Sequence, residues 1–165
     1  MAILFPVFDW FKGVQLYICF SFYKVYRRFL LSVVLVVCSL PLQAGTKPDV
    51  PENIEGANNL TAEQVVELVL SNPELVIIDS RKKTEYVKGH IEGSINILNT
   101  QLTENEMQKV LPNKSSHVLF YCNGSRCMRS SDATSKALSW GYSNVYWFRG
   151  GWKEWTSKKL PVITE

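Results

Sequence analysis

Four short runs constrain this chain most: "ELVIIDS" (74–80), "SINIL" (94–98), "HVLFY" (117–121) and "NVYWF" (144–148). The first is continuously apolar until it ends in Asp79, as a strand buried on both faces of a parallel sheet would be. Between the runs the pattern changes. "LTAEQVVELVLSN" opens with Thr61, carries Gln64 three residues later and then apolar residues at 65, 66, 68, 69 and 70, a capping box leading into a helix. "RKKTEYVKGH" reads as a short helix or turn closed by Gly89, and "TENEMQKVL" as a helix that Pro112 ends. "MRSSDATSKALSW" is helical up to Gly141, and "RGGWKEW" turns into a last short helix. Strands alternating with helices predict an α/β domain with a central parallel sheet flanked by helices.

The chain has 165 residues, a formal charge of +3 and 46% hydrophobic residues, which suits one domain with additions. Residues 1–44 are set apart. Arg27 and Arg28 precede the uncharged "FLLSVVLVVCSL" (29–40), and "PLQA" follows before Gly45. That order matches the n-, h- and c-regions of a secretory signal, with cleavage expected near Ala44. The apolar stretch is short of the ~20 residues of a spanning helix. A periplasmic or otherwise exported protein is expected; the alternative is a membrane-anchored one facing outside the cytoplasm, touching the membrane only through residues 1–44. Residues 45–59, rich in Pro, Gly and polar side chains, read as a linker, and 60–165 as the domain. Without 1–44 the basic and acidic residues are equal in number, so the charge gives no support for a nucleic-acid partner.

Only Cys122 and Cys127 then remain of the four cysteines. One bridge across "CNGSRC" is no disulfide framework. A zinc site needs two further ligands, and His90 and His117 are the only histidines; no metal and no cofactor are expected. Cys122 leaves the strand 117–121, and a helix starts near Met128. Ligands of open α/β sheets bind outside the carboxyl ends of the strands. Backbone N–H groups of the loop and the helix N-terminus would face the Cys122 sulfur, favouring its thiolate and any anion bound to it. Gly124 lets the loop curl, and Arg126 and Arg129 add fixed positive charge.

These blocks together resemble the rhodanese family. "IDSRKKTEYVKGHIEGSINI" is similar to its Asp-x-Arg, Glu-Tyr, Gly-His-Ile signature, "VLFYCNGSRC" to its active-site strand and loop, and "VYWFRGGWKEW" to its closing Gly-Gly-x-x-x-Trp element. The resemblance covers about residues 60–160. It implies a rhodanese-like α/β fold and a sulfurtransferase, in which Cys122 takes a sulfane sulfur as a persulfide and passes it to a thiophilic acceptor. Asn123, Gly124, Ser125, Arg126 and Arg129 would bind the substrate. The loop departs from the common pattern of Gly third, Arg fifth and Ser sixth after the cysteine: Gly124 is second, Arg126 fourth and Cys127 fifth.

Cys127 is a candidate resolving thiol, able to attack a Cys122 persulfide and leave a disulfide; the alternative is an inert thiol at a helix start. Asp79, Arg81 and Glu85 are expected to form a structural polar cluster under the loop, and Trp140, Trp147, Trp152 and Trp155 to pack in the core. The competing functions are a non-catalytic binding module and a Cys-x5-Arg phosphatase. The second would need an arginine where Met128 stands.

Overall fold

The computed structural model describes residues 49–165. The apolar stretch 29–40 and the expected cleavage point lie outside the described residues. Among the described residues, no helix is long and apolar enough to cross a membrane.

Among the described residues ten elements follow one another: β1 (Ala57–Asn59), α1 (Ala62–Ser71), β2 (Val76–Asp79), α2 (Lys83–Tyr86), β3 (Ser94–Asn96), α3 (Glu104–Val110), β4 (His117–Tyr121), α4 (Met128–Ser139), β5 (Asn144–Phe148) and α5 (Gly151–Ser157). The strands form one sheet in the order β1-β5-β4-β2-β3, and every pairing is parallel. β4 is therefore the middle strand, with Asp79 of β2 and Phe148 of β5 both opposite Tyr121.

Alternation of side chains gives the sheet two buried faces. Ile78, Val118, Phe120 and Val145 pack with Leu102, Met107, Leu111, Ala133 and Ala137, on the side of α3 and α4. Ile77, Leu119, Tyr121 and Phe148 pack with Ala62, Val65, Ile91 and Trp155, on the side of α1 and α5. Each large apolar side chain withdrawn this way contributes about 1.5–3 kcal/mol. The expected α/β architecture is present, and "HVLFY" and "NVYWF" are strands from end to end.

α1 starts at the capping box read from the sequence. Thr61 N–H donates to Gln64 Oε1 (2.9 Å) and Gln64 N–H to Thr61 Oγ1 (3.4 Å). Ala62 N–H also donates to Glu154 Oε1 (2.9 Å), which ties α1 to α5.

One expectation is corrected. The stretch 45–59, read as a linker, contains β1, which pairs with β5 through Ala57 and Val145. An edge strand of "ANN" pairs with β5 through its backbone, with Asn59 Nδ2 also on the Glu52 carbonyl (3.1 Å), and shows no apolar alternation.

Candidate active site

Cys122 is the first residue beyond the carboxyl end of β4, and Cys127 caps the N-terminus of α4. The loop between them is clamped from α5. Trp152 N–H donates to the Cys122 carbonyl (2.8 Å) and Lys153 N–H to that of Asn123 (3.0 Å). Such close approach requires Gly151, at φ 55°: a Cβ there would lie 2.2 Å from the Cys122 carbonyl oxygen. The Gly-Gly element thus braces the cysteine loop. Within the loop, Cys127 N–H closes a turn on the Gly124 carbonyl (2.9 Å).

Cys122 is buried. Its thiol donates to the Cys127 carbonyl (3.2 Å), and Ser130 Oγ donates to its sulfur (3.1 Å). Trp147 Nε1 in turn donates to Ser130 Oγ (3.0 Å) and holds it in place. Cys127 is half-buried, and Arg129 Nε donates to its sulfur (3.3 Å). Both cysteines are free thiols.

The pair divides its charge unevenly. The neighbouring Cys127 sulfur and burial push the Cys122 thiol up, against the Ser130 bond. The Cys122 thiol, bonded to Cys127, brings Cys127 down to about 5; burial opposes this and Arg129 assists it. Burial at the end of β4 works against a thiolate at Cys122, and the Ser130 bond works for one. The Cys127 carbonyl lies against the Cys122 sulfur, whereas the Arg129 guanidinium lies on the Cys127 sulfur, which favours Cys127 as the more acidic of the two.

Glu85 of α2 joins the loop, not the Asp79–Arg81 pair. It accepts from Asn123 Nδ2 (2.6 Å), Arg129 Nη1 (2.9 Å) and Lys82 N–H (3.1 Å). Burial alone would raise its carboxyl, but the Asn123 and Arg129 bonds outweigh that and bring it down to about 2. Asp79 and Arg81 form a separate buried ion pair (Nη2 to Oδ2 2.6 Å). Arg81 also donates to the Gly89 carbonyl (2.7 Å) and stacks over Trp152, while Tyr121 Oη–H donates to Asp79 Oδ2 (2.7 Å). This pair welds β2 to β4 and to the helix that clamps the loop.

Above Cys127 lies an open basin of about 920 Å³, with Arg126, Arg129 and Arg149 in its wall together with Asp49 and Asp132. Ser125 and Arg126 are exposed on the loop, and Met128 is exposed where a phosphatase would need its arginine. Ser130, Trp147 and Arg149 were not foreseen as site residues. Ser130 had a signal: it follows Arg129 as Ser follows Arg in the common family loop, displaced by two residues. Trp147 was expected in the core, and it is there; only the packing of α4 on β5 aims its N–H at Ser130. Arg149 reaches the basin because β5 lies beside β4, an adjacency that local pattern does not encode.

Residues 61–158 match the family described as Rhodanese-like domain, and the chain belongs to that family. It is 35% identical over 111 residues to a Drosophila melanogaster rhodanese domain-containing protein, covering 60% of this chain and 96% of that one. It is 33% identical over 110 residues to a tRNA uridine(34) hydroxylase of Photorhabdus laumondii, covering 62% of this chain and 30% of that enzyme. Other curated relatives are spanned over 65% of their length. Among solved structures it is similar to a thiosulfate sulfurtransferase from Pseudomonas aeruginosa, with a TM-score of 0.58 and 25% identity, covering 66% of this chain and 20% of that one.

Proposed function

We propose that this chain is an exported sulfurtransferase or persulfide carrier. Cys122 holds a sulfane sulfur from a small donor and passes it to a thiol or another thiophilic acceptor. The observation that carries the reading is the Cys122 thiol at the end of β4, held on the Cys127 carbonyl (3.2 Å) and by Ser130 Oγ (3.1 Å), with Cys127 beside it in the wall of a basin that holds three arginines. A thiol and a thiolate together can receive a sulfur and hand it on, and the arginines suit an anionic donor. Ser130 Oγ already donates to Cys122. Ser80, whose buried hydroxyl has no partner, follows Asp79 in β2 as Cys122 follows Tyr121 in β4, so a free donor lies at the neighbouring strand end. Similarity to a thiosulfate sulfurtransferase supports the reaction class. Export rests on the signal-like order of residues 27–44.

Intact mass spectrometry after exposure to thiosulfate or polysulfide tests the chemistry. One added sulfur atom, mapped at rest to Cys122 and absent from the Cys122→Ser/Cys127→Ser double variant, is expected. No adduct from either donor, or an adduct indifferent to both substitutions, would leave a binding module as the better description. Export is tested by the N-terminus of protein from its native envelope, expected near Gly45; Met1 retained in a soluble cytosolic fraction overturns it.

A further inference from the structure

The two sulfurs face different surroundings. Cys122 is 1% exposed and sealed between the Cys127 carbonyl and Ser130. Cys127 lines the basin, with Arg129 Nε on its sulfur. A donor arriving from solvent meets Cys127 first. We propose, resting on the sulfurtransferase reading above, that Cys127 is the loading nucleophile: it takes the sulfur from an anionic sulfane donor in the arginine basin and hands it inward to Cys122.

The groups around Cys127 fit an anion. Arg126 comes from the loop, Arg129 and Asp132 from α4, Arg149 from the turn after β5 and Asp49 from the lead-in to β1; Glu85 pairs with Arg129 and Lys136 with Asp132, which leaves Arg126 and Arg149 against Asp49. Glu85 of α2 fixes Arg129 through its Nη1 and leaves Nε on the sulfur.

With thiosulfate, the Cys127 thiolate attacks the sulfane sulfur. A new S–S bond forms, the bond to the sulfonate sulfur breaks, and sulfite leaves with the electron pair. The Cys122 thiol then attacks the outer sulfur of the Cys127 persulfide. The Cys122–sulfur bond forms, the Cys127–sulfur bond breaks, Cys127 departs as thiolate, and the Cys122 proton passes to the transferred sulfur. Neither step needs an external oxidant or reductant. The direction follows from acidity: a thiol ionised near neutral pH attacks readily and also leaves readily, whereas the more basic sulfur retains what it receives. Cys127, in the wall of the basin with Arg129 Nε on its sulfur, has the first property, and Cys122, 1% exposed, the second. Cys127 then acts before Cys122 in the sulfur's path, not after it as a resolving thiol.

Rapid quenching of the full chain with thiosulfate, alkylation and peptide mapping reads the order. The added sulfur should appear on Cys127 before Cys122 in the wild type, and should stay on Cys127 in Cys122→Ser. Cys127→Ser should load at pH 7 about tenfold more slowly or worse, because the remaining thiol is mostly protonated. The pH profile separates this from a merely structural role. Wild-type loading should be nearly flat between about pH 6 and 8, above the Cys127 ionisation; loading of Cys127→Ser should rise with pH throughout that range. If Cys127→Ser loads at the wild-type rate while Cys122→Ser stays inert, Cys122 is the direct acceptor and the relay is wrong. If Cys127→Ser loads normally and only prolongs the persulfide, Cys127 is a resolving thiol. If the wild type takes no sulfur at all, the sulfurtransferase reading falls, and the relay with it.

Discussion

Replacing Asp79 with Ala should cost this fold more than any other single change to its polar interior. Asp79 is 0% exposed and Arg81 2%. The substitution removes the acceptor for Arg81 Nε (3.0 and 3.1 Å), Arg81 Nη2 (2.6 Å), the Arg81 N–H (2.8 Å) and the Tyr121 hydroxyl (2.7 Å). The guanidinium keeps the Gly89 carbonyl and the Trp152 ring, and neither neutralises its charge. A buried charge left without its partner costs about 3–5 kcal/mol. A domain of this size has a stability of about 5–15 kcal/mol, so the loss should lower the midpoint by about 10–20 °C. Thermal melting followed by circular dichroism at pH 7 measures the midpoint, and urea denaturation the free energy. The same assay on Asp79→Leu/Arg81→Met separates charge from packing, because removing both charges should recover most of the loss. A single variant within about 1 kcal/mol of wild type, or a double variant no better than the single, would refute the reasoning.

Glu85 should make loop anchoring acid-sensitive. Its folded pKa is depressed from 4.5 to about 2, so the stabilisation is complete above the unfolded value and is lost as pH falls from about 4.5 towards 2. Glu85→Ala should flatten that limb of an acid-unfolding curve; an unchanged limb would mean that the Arg129 and Asn123 bonds contribute nothing. Gly151→Ala should push the Cys122 carbonyl aside and abolish sulfur loading, because its Cβ would sit 2.2 Å from that oxygen at a backbone φ of 55°; normal loading with an unchanged melting temperature would contradict the clamp. Arg126→Ala should raise KM for thiosulfate about tenfold or more while leaving the melting temperature unchanged, since a charge-assisted contact contributes about 1.5–3 kcal/mol. Unaltered kinetics would assign the donor to Arg129 and Arg149 alone.

The sequence by itself determined what local pattern can encode. β4 and β5 are apolar runs of strand length, α1 carries its own capping box, and Cys122 stands where a strand meets a loop, so each was legible from a few neighbouring residues. β1 was not, because Ala57, Asn58 and Asn59 show no apolar alternation and pair through backbone bonds to a strand far away in the chain. The tertiary structure also decided the chemistry of the site. Glu85 could have closed on Arg81, four residues earlier; packing of α2 beside the loop gave it to Asn123 and Arg129 instead. Spacing placed two sulfurs within reach of each other but could not say which would ionise. That depends on whether amides, carbonyls or a guanidinium face each sulfur, and on how deeply each is buried. These quantities come into being only when α4, α5 and the loop close over the end of β4.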